Sequence, residues 1–408
     1  MKQIAIIGGG ASGLAAALSA AHADPKAEIT VLEGLDRVGK KILATGNGRC
    51  NLTNSDLANA HYHSSQPELL GNFLAEMPTE RTLDFFRSLG LWCAEEELGR
   101  IYPNARQASA VLDVLLNALE HSSVRVECGV KVKNAARTER GFQLTAEDGR
   151  AFFADAVVLA AGGRAAPKQG TDGAGFALAR QLGHSYRPPF PCLVPLKCAE
   201  PVLKGLKGVR AHGTVMLTRN GTELGRENGE IQFTDYGLSG IPIFQLSCLL
   251  GRESAGAELT VDLLPERAPE ELMQELRRQV KQSRADALER FLPGLIHKKL
   301  LYALMKQAGL SPLSRKVSSV REQELRVLAE CMKGWRFHVT GTQGWEQAQV
   351  TGGGVPLDEV NADLSSRRCP GLYLAGEVLD VVGDCGGYNL HWAWCTGLTA
   401  GEAAAGQK

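Results

Sequence analysis

Residues 4–13 read IAIIGGGASG. The apolar run Ile4–Ile7 enters a turn, Gly8-Gly9-Gly10-Ala11-Ser12-Gly13, that fits GxGxxG. The alanine-rich stretch from about Ser12 to Ala23 reads as a helix, and Glu28–Leu32 as a second strand ending in Glu33. Glycine permits close backbone approach to a pyrophosphate, and the helix start offers unpaired N–H groups and a positive dipole end. Glu33, twenty residues beyond Gly13, is placed to accept hydrogen bonds from an adenosine ribose. A lone GxGxxG is weak; strand, glycine turn, helix, strand and acid in this order define a dinucleotide-binding unit. An acid at the second strand end suits a free 2′-hydroxyl, hence FAD or NAD and not NADP.

The rest of the chain decides between these two. A second strand with a glycine end lies at 156–163, AVVLAAGG, followed by TDGAG at 171–175. A third lies at 371–377, GLYLAGE. This late strand resembles the one that ends in GD or GE in two-dinucleotide-binding-domain flavoproteins. There the acid lies near the ribitol and pyrophosphate of FAD, and the next helix points its N-terminus at the flavin. Glu377 and a helix starting near Gly387 match that arrangement, so the nucleotide fold is split and FAD is the expected cofactor. Residues 45–54, TGNGRCNLTN, form a backbone-rich loop behind Arg37-Val38-Gly39-Lys40-Lys41. Its Gly46 and Gly48 allow backbone contact, and Asn47, Arg49, Asn51 and Asn54 can donate to phosphates or flavin edges.

The chain has 408 residues, enough for two or three domains. Its formal net charge is zero, so the whole molecule offers no attraction to a polyanion. No run of 18 apolar residues appears, which argues against a spanning helix. The start passes directly into a strand with no signal-peptide layout, so a cytoplasmic protein is expected. Ten cysteines are scattered without CxxC, which points to small buried residues and not to a disulfide framework or zinc site.

Five segments carry a family resemblance: GGGASGL (8–14), KKILATGNGRCNLTN (40–54), FTDYGLSGIPIFQLS (233–247), VTGGGV (350–355) and LYLAGEVLDVVGDCGGYNLHWAWCTG (372–397). In order and over essentially the whole chain, they resemble the BaiN/YhiN-type flavoproteins, a family of FAD-dependent oxidoreductases. The resemblance implies an α/β fold: a Rossmann-like FAD-binding domain (1–190 and 351–408) interrupted by a β-barrel (191–265 and 335–350) and a helical lid (266–334). It implies flavin held by the first glycine motif and the GGYN segment. With the readings above, the candidate FAD contacts are Gly8, Gly10, Ala11, Ser12, Gly13, Glu33, Lys41, Thr45, Gly46, Asn47, Gly48, Arg49, Cys50, Asn51, Val132, Ala161, Gly162, Gly376, Glu377, Asp384, Gly387, Tyr388, Asn389 and Leu390. The chain departs from the family pattern at 380–385. The usual DVDGxTGG is replaced by Asp380-Val381-Val382-Gly383-Asp384-Cys385-Gly386, which moves the second acid. His391 and Cys395 stand where Gln and Ser are more common.

The middle of the chain supports an insertion independently. From about Pro191, runs such as Ala211–Arg219 and Glu230–Thr234 alternate and end in Asn or Gly turns, as antiparallel strands do. Pro269 to about Lys333 reads as helical with breaks at Pro293-Gly294 and Ser311-Pro312, and strand character returns over 335–350. The insertion is expected to cover the flavin face and shape the substrate site. Between Lys281 and Arg336 there are twelve Lys or Arg against five acids, a surplus of seven in a neutral protein. Such a lid can meet an RNA backbone or an anionic small molecule, or be an ordinary solvated helical face.

The resemblance implies NADH- or NADPH-driven reduction of a conjugated C=C bond. The substrate is either an unsaturated 3-oxo bile acid or a uridine of large-subunit ribosomal RNA, and the basic segment favours the RNA. A proton donor is then needed; Cys50, Tyr388, His391 and Cys395 are candidates, and Trp392, Trp394 and Tyr388 could wall the site. Two alternatives stay open: a flavin amine oxidase using O₂, and a non-catalytic RNA-binding flavoprotein. No CxxxxC follows the first loop, which excludes a disulfide reductase of the glutathione reductase type. No second complete GxGxxG occurs, so NAD(P)H would visit the flavin without its own Rossmann domain. No metal constellation, membrane attachment or obligate protein partner is expected, and the oligomeric state is open.

Overall fold

Strand β1 (Gln3–Ile7) is the centre of a parallel sheet completed by β2 (Glu28–Glu33), β3 (Val124–Cys128), β4 (Ala156–Leu159) and β5 (Leu372–Leu374), in the order β5-β4-β1-β2-β3. The structure is a computed structural model that describes residues 1–406. Ile4 lies opposite both Ala156 and Ile29, and Leu159 opposite Leu374. All four residues of β4 are buried, as befits a parallel strand with both faces covered.

Helix α1 (Ala11–Ala23) is apolar nearly all round, and packing explains why. It lies against α2 (Tyr388–Ala405) so closely that a Cβ on Gly397 would sit 2.3 Å from the Ser12 carbonyl oxygen. One on Gly401 would sit 2.2 Å from that of Ala16. The Ser19 hydroxyl donates to the Leu398 carbonyl at 2.9 Å. The last strand and helix of the nucleotide fold therefore come from the far end of the chain.

Two units can be described separately: Met1–Pro191 with Ala348 onward, and Cys192–Gln347. The second unit holds a closed six-stranded barrel. Its strands are ordered Leu196–Cys198, Gly237–Ser239, Thr222–Phe233, Arg210–Arg219, Ala257–Asp262 and Trp335–Thr342. Val215 and Leu217 alternate inward, and Phe233, Trp335 and Phe337 pack against one another inside it at tilted angles. Helices Pro269–Gln282, Lys298–Gln307 and Glu322–Lys333 share this hydrophobic core, so barrel and helices form a single body. The expected strand over 335–350 stops at Thr342. Val350–Gly354 is a separate strand of the first unit, where Gly353 and Gly354 take positive φ.

Candidate dinucleotide site

A cavity of about 340 Å³ opens at the carboxyl ends of β1, β2 and β4, where ligands of open α/β sheets bind. Gly8 has φ +107°, and a Cβ there would lie 2.5 Å from the Ala160 carbonyl oxygen; on Gly13 it would lie 1.9 Å from that of Gly8. These two glycines are required by the fold itself. Gly10 is different. Its backbone is extended (φ −86°, ψ −167°) and a Cβ would meet no atom within 4 Å. The space beside it belongs to the cavity.

Gly10 caps α1 without a side-chain hydrogen bond, and Gly387, at φ +103°, caps α2 likewise. The first-turn N–H groups of both helices lack intrahelical acceptors. Ala11 and Ser12 of one and Asn389 and Leu390 of the other line the same cavity. Two positive dipole ends thus face one ligand space, which suits a pyrophosphate at one and an electron-rich ring edge at the other.

Glu33 and Glu377 also line it. Glu33 accepts from the Gly9 amide at 2.7 Å and the Leu35 amide at 2.8 Å, so it fixes the glycine turn while its remaining lone pairs are left for hydroxyls. Glu377 accepts from the Thr351 amide and from Lys41 Nζ, both at 2.8 Å. Thr45, Val132, Ala161 and Gly162 complete the anticipated lining, with Gly376 packed behind Ser12. The sequence reading missed Gln169, Thr171, Gln349 and Val381. It also passed over Arg37 and Lys40, although both stood in the segment leading away from Glu33.

The 45–54 loop does its work mostly behind the lining. Gly46 and Asn47 take left-handed conformations and Gly48 has φ +82°, which makes a tight reversal after Thr45. The Arg49 guanidinium is bonded to Glu96 and lies 4.2 Å from the Tyr102 ring centroid. The Asn54 amide donates to the carbonyls of Leu98 and Gly386, each at 3.0 Å. These two side chains are occupied within the protein and do not reach the cavity. Asn51 does not line the cavity either, and its Oδ1 is buried with no hydrogen-bond partner among the described residues.

The proton-donor candidates separate clearly. Cys50 is fully buried, and burial pushes its thiol up to about 12. His391 is also fully buried. The Met77 carbonyl, 2.9 Å from Nε2, can only accept, so Nε2 carries the proton and Nδ1 accepts from the Thr53 and Thr82 hydroxyls at 2.9 Å. Burial pushes this imidazole down to about 4, which makes it a neutral core strut. Cys395 is buried beneath it with a thiol raised to about 11, again by burial. Neither Cys50, His391 nor Cys395 lines the cavity. Trp394 is core, edge-on to Phe86, whereas Trp392 does line the cavity and donates Nε1–H to the Gly376 carbonyl at 3.2 Å. Tyr388, the first residue of α2, is buried beside Asn389 and Leu390 and does not line the cavity either; its hydroxyl makes no hydrogen bond among the described residues. Asp384 bonds His61 and His63.

The glycine cradle, the paired helix ends and the ribose acid, gathered round one cavity, fit FAD. They define a Rossmann-type flavoprotein oxidoreductase. The chain belongs to the HI0933-like family: the family model of the HI0933-like protein Rossmann domain matches residues 2–403. It is 41% identical to a 3-dehydro-bile acid delta(4,6)-reductase of Clostridium scindens, covering 99% of both chains. It is 32% identical to a ribosomal RNA dihydrouridine synthase of Escherichia coli, covering 95% of this chain and 94% of that one. Among solved structures it resembles a 3-ketosteroid delta1-dehydrogenase of Sterolibacterium denitrificans in complex with 1,4-androstadiene-3,17-dione. That likeness, with a TM-score of 0.52 at 12% identity over 100% of each chain, is one of fold. No helix among the described residues is long and apolar enough to cross a membrane.

Proposed function

We propose that this protein reduces the activated C=C bond of a small conjugated enone, with FAD as resident cofactor and NADH or NADPH as reductant. Bound FAD supplies hydride transfer, and the protein supplies orientation and the proton. The observation that carries this reading is the first turn of α2. Asn389 and Leu390 of that turn bring open N–H groups to the cavity; Tyr388 precedes them without lining the cavity, and its hydroxyl makes no hydrogen bond among the described residues. Of the proton-donor candidates, Tyr388 is the one beside the lining residues Asn389 and Leu390, and Tyr388→Phe tests whether it delivers the proton to the carbon opposite the one that receives hydride. The α2 dipole stabilises negative charge developing on the ligand. Lys41, tied to Glu377, holds the acid of the late strand in place. The name of the 41%-identical relative supports an enone of the 3-oxo bile acid type. A cytoplasmic location accords with a nicotinamide reductant and with the scattered cysteines.

A second reading, reduction of a ribosomal RNA uridine, is favoured by two relatives named for it and by the basic helical segment. There Arg315 and Arg321 are spent on Glu324, Lys333 on Asp262 and Arg336 on Glu258. Lys281, Lys299, Lys306 and Lys316 make no salt bridge among the described residues and remain able to meet phosphates.

Anaerobic half-reactions test the proposal. Tyr388→Phe should leave flavin reduction by NAD(P)H within about twofold and slow reoxidation by a 3-oxo-4-ene steroid by about 10²-fold, within the usual range for general acid catalysis. Unchanged reoxidation removes Tyr388 from the chemistry. Reoxidation by O₂ alone favours an amine oxidase, and RNA binding without redox turnover favours a passive module.

A further inference from the structure

We propose that residues 164–172 form a strap that closes over the cavity and gates the entry and release of FAD, latched by Lys131 on Asp172 and by Leu35 against Gly170. The proposal rests on FAD as the resident group and not on the acceptor it reduces.

Strand order makes this segment a crossing. It leaves β4, whereas Leu35 follows β2 and Lys131 follows β3, and β1 with its glycine turn lies between β4 and β2. At about 4.8 Å per strand spacing, a chain from β4 to the residues beyond β2 and β3 spans roughly 10–14 Å of sheet edge. The segment makes that span. A Cβ on Gly170 would lie 2.8 Å from Leu35 Cδ1, so the bare Gly170 backbone, at φ +100°, is seated on the Leu35 side chain. Two residues on, Asp172 Oδ2 meets Lys131 Nζ at 2.9 Å. Pro167, Gln169, Gly170, Thr171 and Asp172 line the cavity from the strap, and Leu35 and Lys131 line it from the β2 and β3 side. The two latches therefore join two walls of one ligand space.

The strap can swing as a unit. The Gly173 amide donates to the Gly163 carbonyl at 3.0 Å, so residues 164–172 leave the fold and return to the same point, as in an Ω-loop. The base is tied down: the Arg164 and Ala165 amides donate to Thr351 Oγ1 at 2.7 and 3.0 Å, and the buried Thr171 hydroxyl donates to the Ala165 carbonyl. The tip bonds within itself, the Gln169 amide to the Ala166 carbonyl at 2.9 Å and the Gly170 amide to that of Pro167 at 3.0 Å. Gly162 and Gly173, at positive φ on either side of the base, are positions able to absorb a change of backbone angle.

The latch is weak enough to open. Both side chains of the ion pair are 45% exposed, where such a pair contributes little. Both are charged. Hydrogen bonds to Asp172 and Glu147 push the Lys131 ammonium up. Burial works to raise the Asp172 carboxyl, but Lys131 and the Ala174 amide outweigh it and hold that group below its ordinary value. Glu147, which does not line the cavity, lies 3.1 Å from Lys131 Nζ and keeps the ammonium paired when Asp172 moves away.

Stopped-flow FAD fluorescence measures uptake by cofactor-free protein, and a chase with an FAD-scavenging apoprotein measures release from holoprotein. Wild type, Lys131→Met, Asp172→Asn, the double variant and Glu147→Gln are compared, each checked by thermal unfolding without cofactor. A latch that closes with and without FAD holds back both rates. Lys131→Met and Asp172→Asn should each speed uptake and release by roughly two- to fivefold, the range of an exposed ion pair, and leave Kd within about twofold. The double variant should be no faster than the singles, because both remove one interaction. Glu147→Gln should leave both rates at wild-type values. The two single variants change charge in opposite senses, so a direct field on the anionic cofactor would move their rates in opposite directions, and that result overturns the inference. So do faster release with unchanged uptake, which marks a ligand contact, unchanged rates in both single variants, or equal acceleration in Glu147→Gln. Wild-type apoprotein that takes up no FAD refutes instead the flavin reading on which the inference stands, and the inference falls with it.

Discussion

Gly10→Ala separates what the glycine turn does for the fold from what it does for the ligand. The Gly10 backbone is extended at φ −86°, which alanine adopts without strain, and the added Cβ would meet no protein atom within 4 Å. The apoprotein loses nothing, and the unfolded chain loses freedom, a gain of roughly 0.4–1 kcal/mol for compatible Gly→Ala changes. A midpoint rise of about 1–4 °C follows for units of this size. The methyl instead enters the space through which a phosphate approaches the first turn of α1. Displacing one charge-assisted amide–phosphate contact costs about 1.5–3 kcal/mol, which is roughly a ten- to hundredfold loss of FAD affinity. Thermal unfolding of cofactor-free protein and titration of FAD fluorescence read the two quantities separately. A Gly10→Ala protein that binds FAD within twofold of wild type refutes the placement of pyrophosphate at this helix end.

Other perturbations follow from the packing and from the buried groups. Gly401→Ala drives a methyl to within 2.2 Å of the Ala16 carbonyl and the Ser19 hydroxyl, so overpacking should cost about 1–3 kcal/mol by chemical denaturation. Unchanged stability would mean that α1 and α2 do not cross there. His391 is neutral in the fold, so the unfolded chain takes its proton first as pH falls below 6.5. Stability present above that pH should drain by about 3 kcal/mol as pH falls toward about 4, and His391→Asn should flatten this slope. Cys50 should resist iodoacetamide at pH 8 in the native protein and react after unfolding, as mass spectrometry of its peptide would show.

The local parts of the fold were legible because their signals are local. Strand, glycine turn, helix and acid within residues 3–33 each announce themselves by composition, and the late GLYLAGE strand by its ending. Closure of the barrel was less legible, because it depends on pairing Leu196–Cys198 with a strand that begins at Trp335. The boundary at Thr342 was hidden for the same reason: residues 343–349 form no strand, and the next one begins at Val350 in the first unit, paired with Arg187–Cys192.

Side-chain destinations were the least legible. His391 and Asn389 sit two residues apart on one helix, yet Asn389 lines the cavity and His391 points into the core toward Thr53, Thr82 and Met77. Spacing alone does not tell which face of α2 meets the ligand. Arg49 looked like a phosphate donor until its partner Glu96, remote in sequence, was seen to occupy it. His61 and His63 carried no signal, since their bonds to Asp384 arise beside a two-residue strand pairing with Val382–Gly383.

The central claim is that this HI0933-like protein passes reducing equivalents through FAD to a conjugated C=C bond. Anaerobic stopped-flow absorbance of the purified yellow protein tests it most directly. NADPH or NADH should bleach the flavin, and a 3-oxo-4-ene steroid should restore its absorbance while the saturated ketone accumulates in equal amount. Reoxidation by ribosomal RNA with dihydrouridine appearing would move the substrate but keep the chemistry. A reduced flavin that neither acceptor reoxidises, and that only O₂ restores, would contradict the account.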